Sequence, residues 1–417
     1  MIHKSRLVSQ FKKMVEFDSE TYHEREIADY LTGELKQLGF EVWEDDAGHR
    51  LKEKLPEYGT AVPTGNLYGY LKGTTGSAPI LLSAHMDTVK PGIGKRAVQD
   101  ERGRITSEGD TVLGADDLSG IAAILEAVRV IKENNLPHGD IEVLFPVAEE
   151  NYGKGSQLID YSRIKSKLAY VFDLSGTIGL AATAAPTILS FEIRVKGKNA
   201  HAGFCPQLGI NAIEITARAI SQLKQGWVDN ETTVNIGKIS GGKQTNIVSD
   251  ECVVAGEIRS LKDHKALAEW NRLKDAFEGT AAGYGGSLEI SVEKQIEAYE
   301  LSDGEEVVER FKDVCRSLGF KGSTQYTLGG SDNNHFVRGG IRGIVVACGM
   351  NEVHTPNEFT TEDELEKKCP PGPGTDHRRK LMVFLTRTDL INFYQAEAIP
   401  LFSSETHHQC QWNQRHS

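Results

Sequence analysis

The order of apolar patterns along the chain predicts an α/β protein with a mostly parallel sheet, into which a smaller α+β unit of ferredoxin-like order is inserted. Three observations predict it. Short apolar runs alternate with amphipathic helical patterns over the first 183 residues, as in a parallel sheet covered on both faces. A β-α-β-β-α-β succession then occupies residues 184–296. The first pattern resumes at 297 and runs to 368. With 417 residues the chain is too long for one ordinary core, so about two domains are expected.

Residues 24 to 38 carry Ile27, Leu31, Leu35 and Leu38 on one helical face. Residues 78 to 82 form an apolar run short enough for a buried strand. Residues 118 to 132 place Ile121, Ile124, Leu125, Val128 and Ile131 at helical spacing. Residues 141 to 147 and 168 to 172 are two more buried strands. In the inserted unit Leu189, Phe191, Ile193 and Val195 alternate with polar residues, the pattern of a half-buried strand. A helix over roughly 209–224 comes next, then strands near 232–239 and 246–259, a helix over 263–283 and a strand over 287–295. A helix over 304–318 and a strand over 343–347 return to the larger unit. From Cys369 the run Cys-Pro-Pro-Gly-Pro-Gly-Thr breaks a helix begun at 361–365, and 369–417 is read as a divergent C-terminal tail.

Composition narrows the function classes. The formal net charge is -12, from 59 acidic and 47 basic residues, which argues against nucleic acid or an anionic membrane as partner. No apolar run approaches the roughly 18 residues of a membrane span. The first residues do not lead into an apolar signal core. The six cysteines are scattered without a C-x-x-C pair, so neither a disulfide framework nor a thiolate zinc site is expected, and a reducing cytoplasm is.

Chemistry gathers where the predicted strands end. His85-Met86-Asp87 comes after one strand, Glu149-Glu150 after another, Asp173 after a third and Val353-His354-Thr355 after a fourth, while Asp116-Asp117 opens a helix. Ligands of open α/β sheets collect at the carboxyl ends of strands. Alone, an H-x-D or an acidic pair is usually an ordinary surface feature. Five segments delivering imidazole and carboxylate groups to one sheet edge are not. The mixed nitrogen and oxygen set suits two divalent cations, zinc first, with manganese or cobalt as alternatives, and does not suit calcium. Two cations about 3.5–4 Å apart need a bridging carboxylate. Asp116, in Gly114-Ala115-Asp116-Asp117, is the candidate. Asp87 can orient the second imidazole nitrogen of His85. Of the adjacent glutamates, one can bind metal while the other serves as general base.

These residues carry a resemblance. Ser83-Ala84-His85-Met86-Asp87-Thr88-Val89 resembles the first metal motif of the M20 metallopeptidases, Gly114–Gly120 the second and Ala148-Glu149-Glu150 the third. Gly197-Lys198-Asn199-Ala200-His201-Ala202-Gly203, Thr245-Asn246-Ile247-Val248 and Gly329-Gly330-Ser331-Asp332 are similar to further family segments. The nearest branch is peptidase T-like, related to tripeptide aminopeptidases, and the resemblance spans about residues 1–368. It implies one cation on His85, Asp116 and Asp173 and another on Asp116, Glu150 and His354. It implies Glu149 as the base that activates the attacking water. It selects His354, not His335, as the fifth ligand. The inserted unit becomes a lid that also mediates homodimerisation and brings His201 to the reacting carbonyl, with Asn246 and Arg259 holding substrate. After Lys368 the chain departs from the family, whose members continue the Leu365 register as an amphipathic helix.

The expected activity is two-metal hydrolysis of peptide bonds by a cytoplasmic aminopeptidase acting on short peptides such as tripeptides. An aminoacylase or other amidohydrolase would share the same core. An M28-type aminopeptidase would share the ligand order, but the interval between Asp173 and His354 holds a whole lid and favours M20. A relative impaired by its altered C-terminus is the non-enzymatic alternative.

Overall fold

The computed structural model describes residues 3–319 and 321–366; the divergent tail expected over 369–417 lies outside the described residues. Nine strands form the main sheet. Its order is Glu41–Glu44, Leu67–Leu71, Ile141–Phe145, Ile80–Ser83, Leu168–Leu174, Arg342–Ala347, Leu180–Ala185 and Tyr299–Glu300, with Ser323–Tyr326 paired to Leu180–Ala185. The four central strands, from Ile141–Phe145 to Arg342–Ala347, are mutually parallel, and antiparallel strands flank them. All five residues of Ile141–Phe145 and all four of Ile80–Ser83 are buried, as a strand covered on both faces requires.

Helices cover the sheet. Arg25–Gln37 buries Ile27, Ala28, Leu31 and Leu35, one face of a 3.6-residue repeat. Ala115–Glu133 is buried nearly all round because Lys4–Val15 packs over it from outside. That outer helix was not anticipated from the sequence; it buries Leu7, Val8, Phe11, Met14 and Val15. The antiparallel flanking strands were not anticipated either, being short or rich in glycine and alanine.

A separate antiparallel sheet has the order Gly226–Trp227, Thr232–Gly241, Glu251–Ser260, Thr187–Lys196 and Ser287–Ile296. Apart from the two-residue strand it has the order of a ferredoxin-like unit, with Thr187–Lys196 and Glu251–Ser260 central. Helices Ala212–Ile220 and Asp263–Gly283 pack on one face. The second buries Ala266, Trp270, Leu273, Phe277 and Ala281 against Leu189, Phe191, Ile193 and Val195. This core is distinct from the one around the main sheet. The strand expected over 246–259 starts only at Glu251, because residues 245–246 turn. The helix expected from 209 starts at Ala212, where the Asn211 side chain accepts from the Ile213 and Glu214 amides. No described helix is long and apolar enough to cross a membrane.

Candidate metal centre

The parallel strands place their carboxyl ends at one edge, and the site is built from residues at and just beyond those ends. His85 lies two residues beyond Ile80–Ser83 and Asp173 within Leu168–Leu174. Glu149 and Glu150 lie beyond Ile141–Phe145, and His354 beyond Arg342–Ala347. Asp116 enters from the start of Ala115–Glu133, after Gly114 at φ +77°.

The side chains converge. Asp116 Oδ1 lies 3.1 Å from His85 Nε2, and its Oδ2 lies 3.2 Å from His354 Nε2. One carboxylate therefore faces two imidazoles with its two oxygens, the geometry of a bridging ligand. Asp173 Oδ1 is 3.8 Å from His85 Nε2, and Glu150 Oε2 is 3.1 Å from His354 Nε2. Glu149 Oε2 stands 3.9 Å from His85 Nε2. Ligand atoms of His85, Asp116 and Glu150 lie within 4.8 Å of one another, as do those of His85, Asp117 and Asp173.

The protein groups call for positive charge. His85 Nδ1 is 2.9 Å from the main-chain carbonyl of Asp87. A carbonyl can only accept, so Nδ1 carries a proton and Nε2 faces the carboxylates of Asp116, Asp173 and Glu149. Glu150 Oε1 is buried without a protein partner. Burial and the neighbouring carboxylates push Glu149, Glu150 and Asp173 above their ordinary pKa values. Burial would lower the His85 pKa, but the carboxylates of Asp116 and Asp87 raise it well above the usual value. Hydrogen bonds to Asp116 and Glu150 push His354 up to about 10. Burial would raise the Asp116 pKa, yet the two histidines hold it below the usual carboxylate range. Mixed nitrogen and oxygen donors, an unpartnered oxygen and crowded acids all fit divalent cations.

Asp87 takes on more than the part expected of it. Its main-chain carbonyl, not its carboxylate, is the nearer partner of His85 Nδ1; the carboxylate Oδ1 is 3.5 Å away. The carboxylate also accepts from the amides of Glu149 (2.9 Å) and Glu150 (3.2 Å) and from Thr21 Oγ1 (2.9 Å). Glu24, fully buried at the start of its helix, accepts from the preceding Ala148 amide at 3.0 Å and from Tyr22 at 3.0 Å. Three successive amides are thus held by two buried carboxylates. They brace a turn in which Ala148 and Tyr152 have φ of 52° and 60°. Glu358 does the same across the site, accepting from the amides of Gly114 (2.8 Å) and Asp116 (2.9 Å). Sequence reasoning missed Asp117, Glu24 and Glu358 as site residues. Asp117 adjoins Asp116 in a family motif and Glu358 comes shortly after His354, but nothing in spacing marks Glu24.

Three expected residues stand outside the cluster. His201 and Asn246 are exposed on adjacent turns of the antiparallel unit, where the Asn246 carbonyl accepts from the Ala202 amide at 2.9 Å. Arg259 grips Glu257 with Nε and Nη2 and donates through Nη1 to the Leu328 carbonyl at 2.9 Å. His335 is buried with Nε2 3.3 Å from the Tyr152 carbonyl, apart from the cluster.

Comparison with known proteins agrees with this architecture. Residues 183–285 match the model of the peptidase dimerisation domain, and residues 66–192 match that of peptidase family M28. The aminopeptidase PepT of Bacillus cereus is 38% identical, with 93% of this chain and 99% of that one covered and a TM-score of 0.81. A tripeptidase of Staphylococcus aureus is 35% identical, covering 88% and 95%, with a TM-score of 0.83. The uncharacterised protein YqjE of Bacillus subtilis is 40% identical over 371 residues, 88% of this chain and 96% of that one. The M28 match stops near the inserted unit, whereas these relatives span both units. The chain belongs to the M20 metallopeptidases, in their peptidase T-like branch.

Proposed function

We propose that this metallopeptidase is an aminopeptidase that removes the first residue of short peptides such as tripeptides, using two divalent cations. His85, Asp116 and Asp173 would hold one and Asp116, Glu150 and His354 the other. The observation that carries the reading is Asp116, whose two oxygens face the two histidines separately. The tripeptidase and PepT relatives support the substrate class. Zinc is the proposed metal, with manganese or cobalt able to occupy the same donors. Cations of this kind polarise a scissile carbonyl and make water a better nucleophile at neutral pH.

Glu149 takes the proton of the attacking water and returns it to the leaving amine. Its Oε2 stands 3.9 Å from His85 Nε2, beside the ligand groups but paired to neither histidine, which leaves this carboxylate free to carry a proton between the two steps. Asp87 supports it by fixing its amide. His201 donates to the developing oxyanion when the lid closes. Asn246 and Arg259 hold the substrate, and Arg259 must exchange Glu257 for it. The lid also forms the homodimer contact, a role supported by the dimerisation-domain match. The acidic chain with scattered cysteines suits the cytoplasm.

Metal analysis combined with a panel of dipeptides, tripeptides and N-acyl amino acids tests the reading. Hydrolysis of tripeptides with about two metals per chain is the expected result. Turnover of N-acyl amino acids in place of peptides would transfer the chain to the aminoacylase reading. A pure protein that takes up no divalent metal would sink both.

A further inference from the structure

The turn that carries His201 has a built-in hydrogen-bond asymmetry. His201 Nδ1 lies 3.1 Å from the Gly203 amide nitrogen and 3.2 Å from that of Phe204. A main-chain N–H can only donate, so Nδ1 accepts from both, and in the neutral ring the proton belongs on Nε2. The Phe204 ring lies against the imidazole, with centroids 4.2 Å apart and planes 20° from parallel. Phe204 is 84% exposed, so no core accounts for it; the imidazole face is what it covers. The turn is braced from behind. The Ala202 amide donates to the Asn246 carbonyl at 2.9 Å, the Val248 amide to Ala200 at 2.9 Å and the Cys205 amide to His201 at 3.1 Å.

We propose that residues 201–204 form a tautomer lock that presets His201 as an Nε2–H donor, with Phe204 as the positioning residue that holds the ring plane. The inference deepens, and rests on, the assignment of His201 to the reacting carbonyl. A developing oxyanion needs a donor already aimed at it. The other neutral tautomer would present a lone pair at Nε2 and would set an Nδ1 hydrogen against two amide hydrogens. The amides make that choice before substrate arrives, and the ring stack removes a rotation that closure would otherwise have to freeze.

The test uses the full-length, metal-loaded protein with imidazole-15N histidine, and His201→Ala to assign the resonance. At a pH where the ring is neutral, Nδ1 should be pyridine-type and Nε2 pyrrole-type. The bias should exceed that of the unfolded chain by about tenfold, in keeping with two added hydrogen bonds. A pyrrole-type Nδ1, or a ratio equal to that of the unfolded chain, overturns the lock. Phe204→Ala should keep metal and tautomer while kcat falls about three- to tenfold with little change in KM, and Phe204→Leu should recover part of it. An unchanged kcat overturns the part given to Phe204. His201→Ala with normal kcat would remove the catalytic assignment and leave the spectroscopic result standing. A large kcat loss with the wrong tautomer would do the reverse.

Discussion

Glu149 and Glu150 are neighbours in sequence with opposite surroundings. Glu150 Oε2 reaches His354 at 3.1 Å, whereas Glu149 Oε2 comes no nearer to His85 than 3.9 Å. Replacing Glu149 with glutamine keeps the shape and removes the base. Turnover should fall by about 10²–10⁴-fold, with metal content unchanged by elemental analysis. Equal loss of metal would show that the two glutamates have exchanged roles. The histidines divide in the same way. His354→Ala should lower metal occupancy, because its Nε2 faces both Asp116 and Glu150. His335→Ala should not, because its Nε2 faces the Tyr152 carbonyl and its ring packs against Gly153. The opposite pattern of metal loss would move the fifth ligand to His335.

At the scale of elements, the helix Ala115–Glu133 must lie close to the strand Leu168–Leu174 for Asp116 and Asp173 to share a site. Gly120 permits that approach. A Cβ there would meet Asp117 Oδ1 at 2.5 Å and the Phe172 carbonyl oxygen at 2.6 Å. The second contact is backbone and cannot swing away, so Gly120→Ala should cost about 1–3 kcal/mol through overpacking. The matched control is Gly33, also helical, whose added Cβ meets nothing within 4 Å. Gly33→Ala should stabilise by about 0.5–1 kcal/mol. Denaturant unfolding of the metal-free proteins checks both signs. Equal midpoints for the two variants would refute the packing argument.

For the whole molecule, the buried acids tie stability to pH and to metal. Burial pushes Asp332 and Glu358 up to about 7 and Glu24 up to about 8. Such groups hold protons in the folded state that the unfolded chain has released, so stability falls as pH climbs from about 4 toward those values. His354 acts in the same direction. Its gain is full below the ordinary 6.5 and is lost as pH rises through about 10. Lys95 opposes them, since burial pushes it down to about 8 and its charging penalty is relieved on the alkaline side. Chelator-treated protein should therefore melt lower at pH 8.5 than at pH 6. Cations replace protons at the site, so the rise in Tm on adding zinc or manganese should be larger at pH 8.5. A metal-induced rise that shrinks as pH increases would contradict this account.

The sequence by itself pointed to the α/β class, to an inserted α+β unit and to the gathering of His85, Asp116, the Glu149-Glu150 pair, Asp173 and His354 at one sheet edge, while the choice of Glu150 and His354 as ligands came from the family resemblance. Hydrophobic periodicity is a local property, and parallel strands send their carboxyl ends to one edge whatever the details of packing. The short edge strands carry too little local signal to be read, whereas the outer helix Lys4–Val15 was legible in the helical spacing of Leu7, Val8, Phe11, Met14 and Val15 and was overlooked. Only the tertiary structure decided that the Asp87 carboxylate also holds the amides of Glu149 and Glu150 and that a main-chain carbonyl is the nearer partner of His85. Only it brought Glu24 against Ala148, 124 residues away, and Glu358 against Gly114, 244 residues away. A hydrogen bond forms over about 3 Å, and no spacing rule in sequence encodes that distance between segments so far apart.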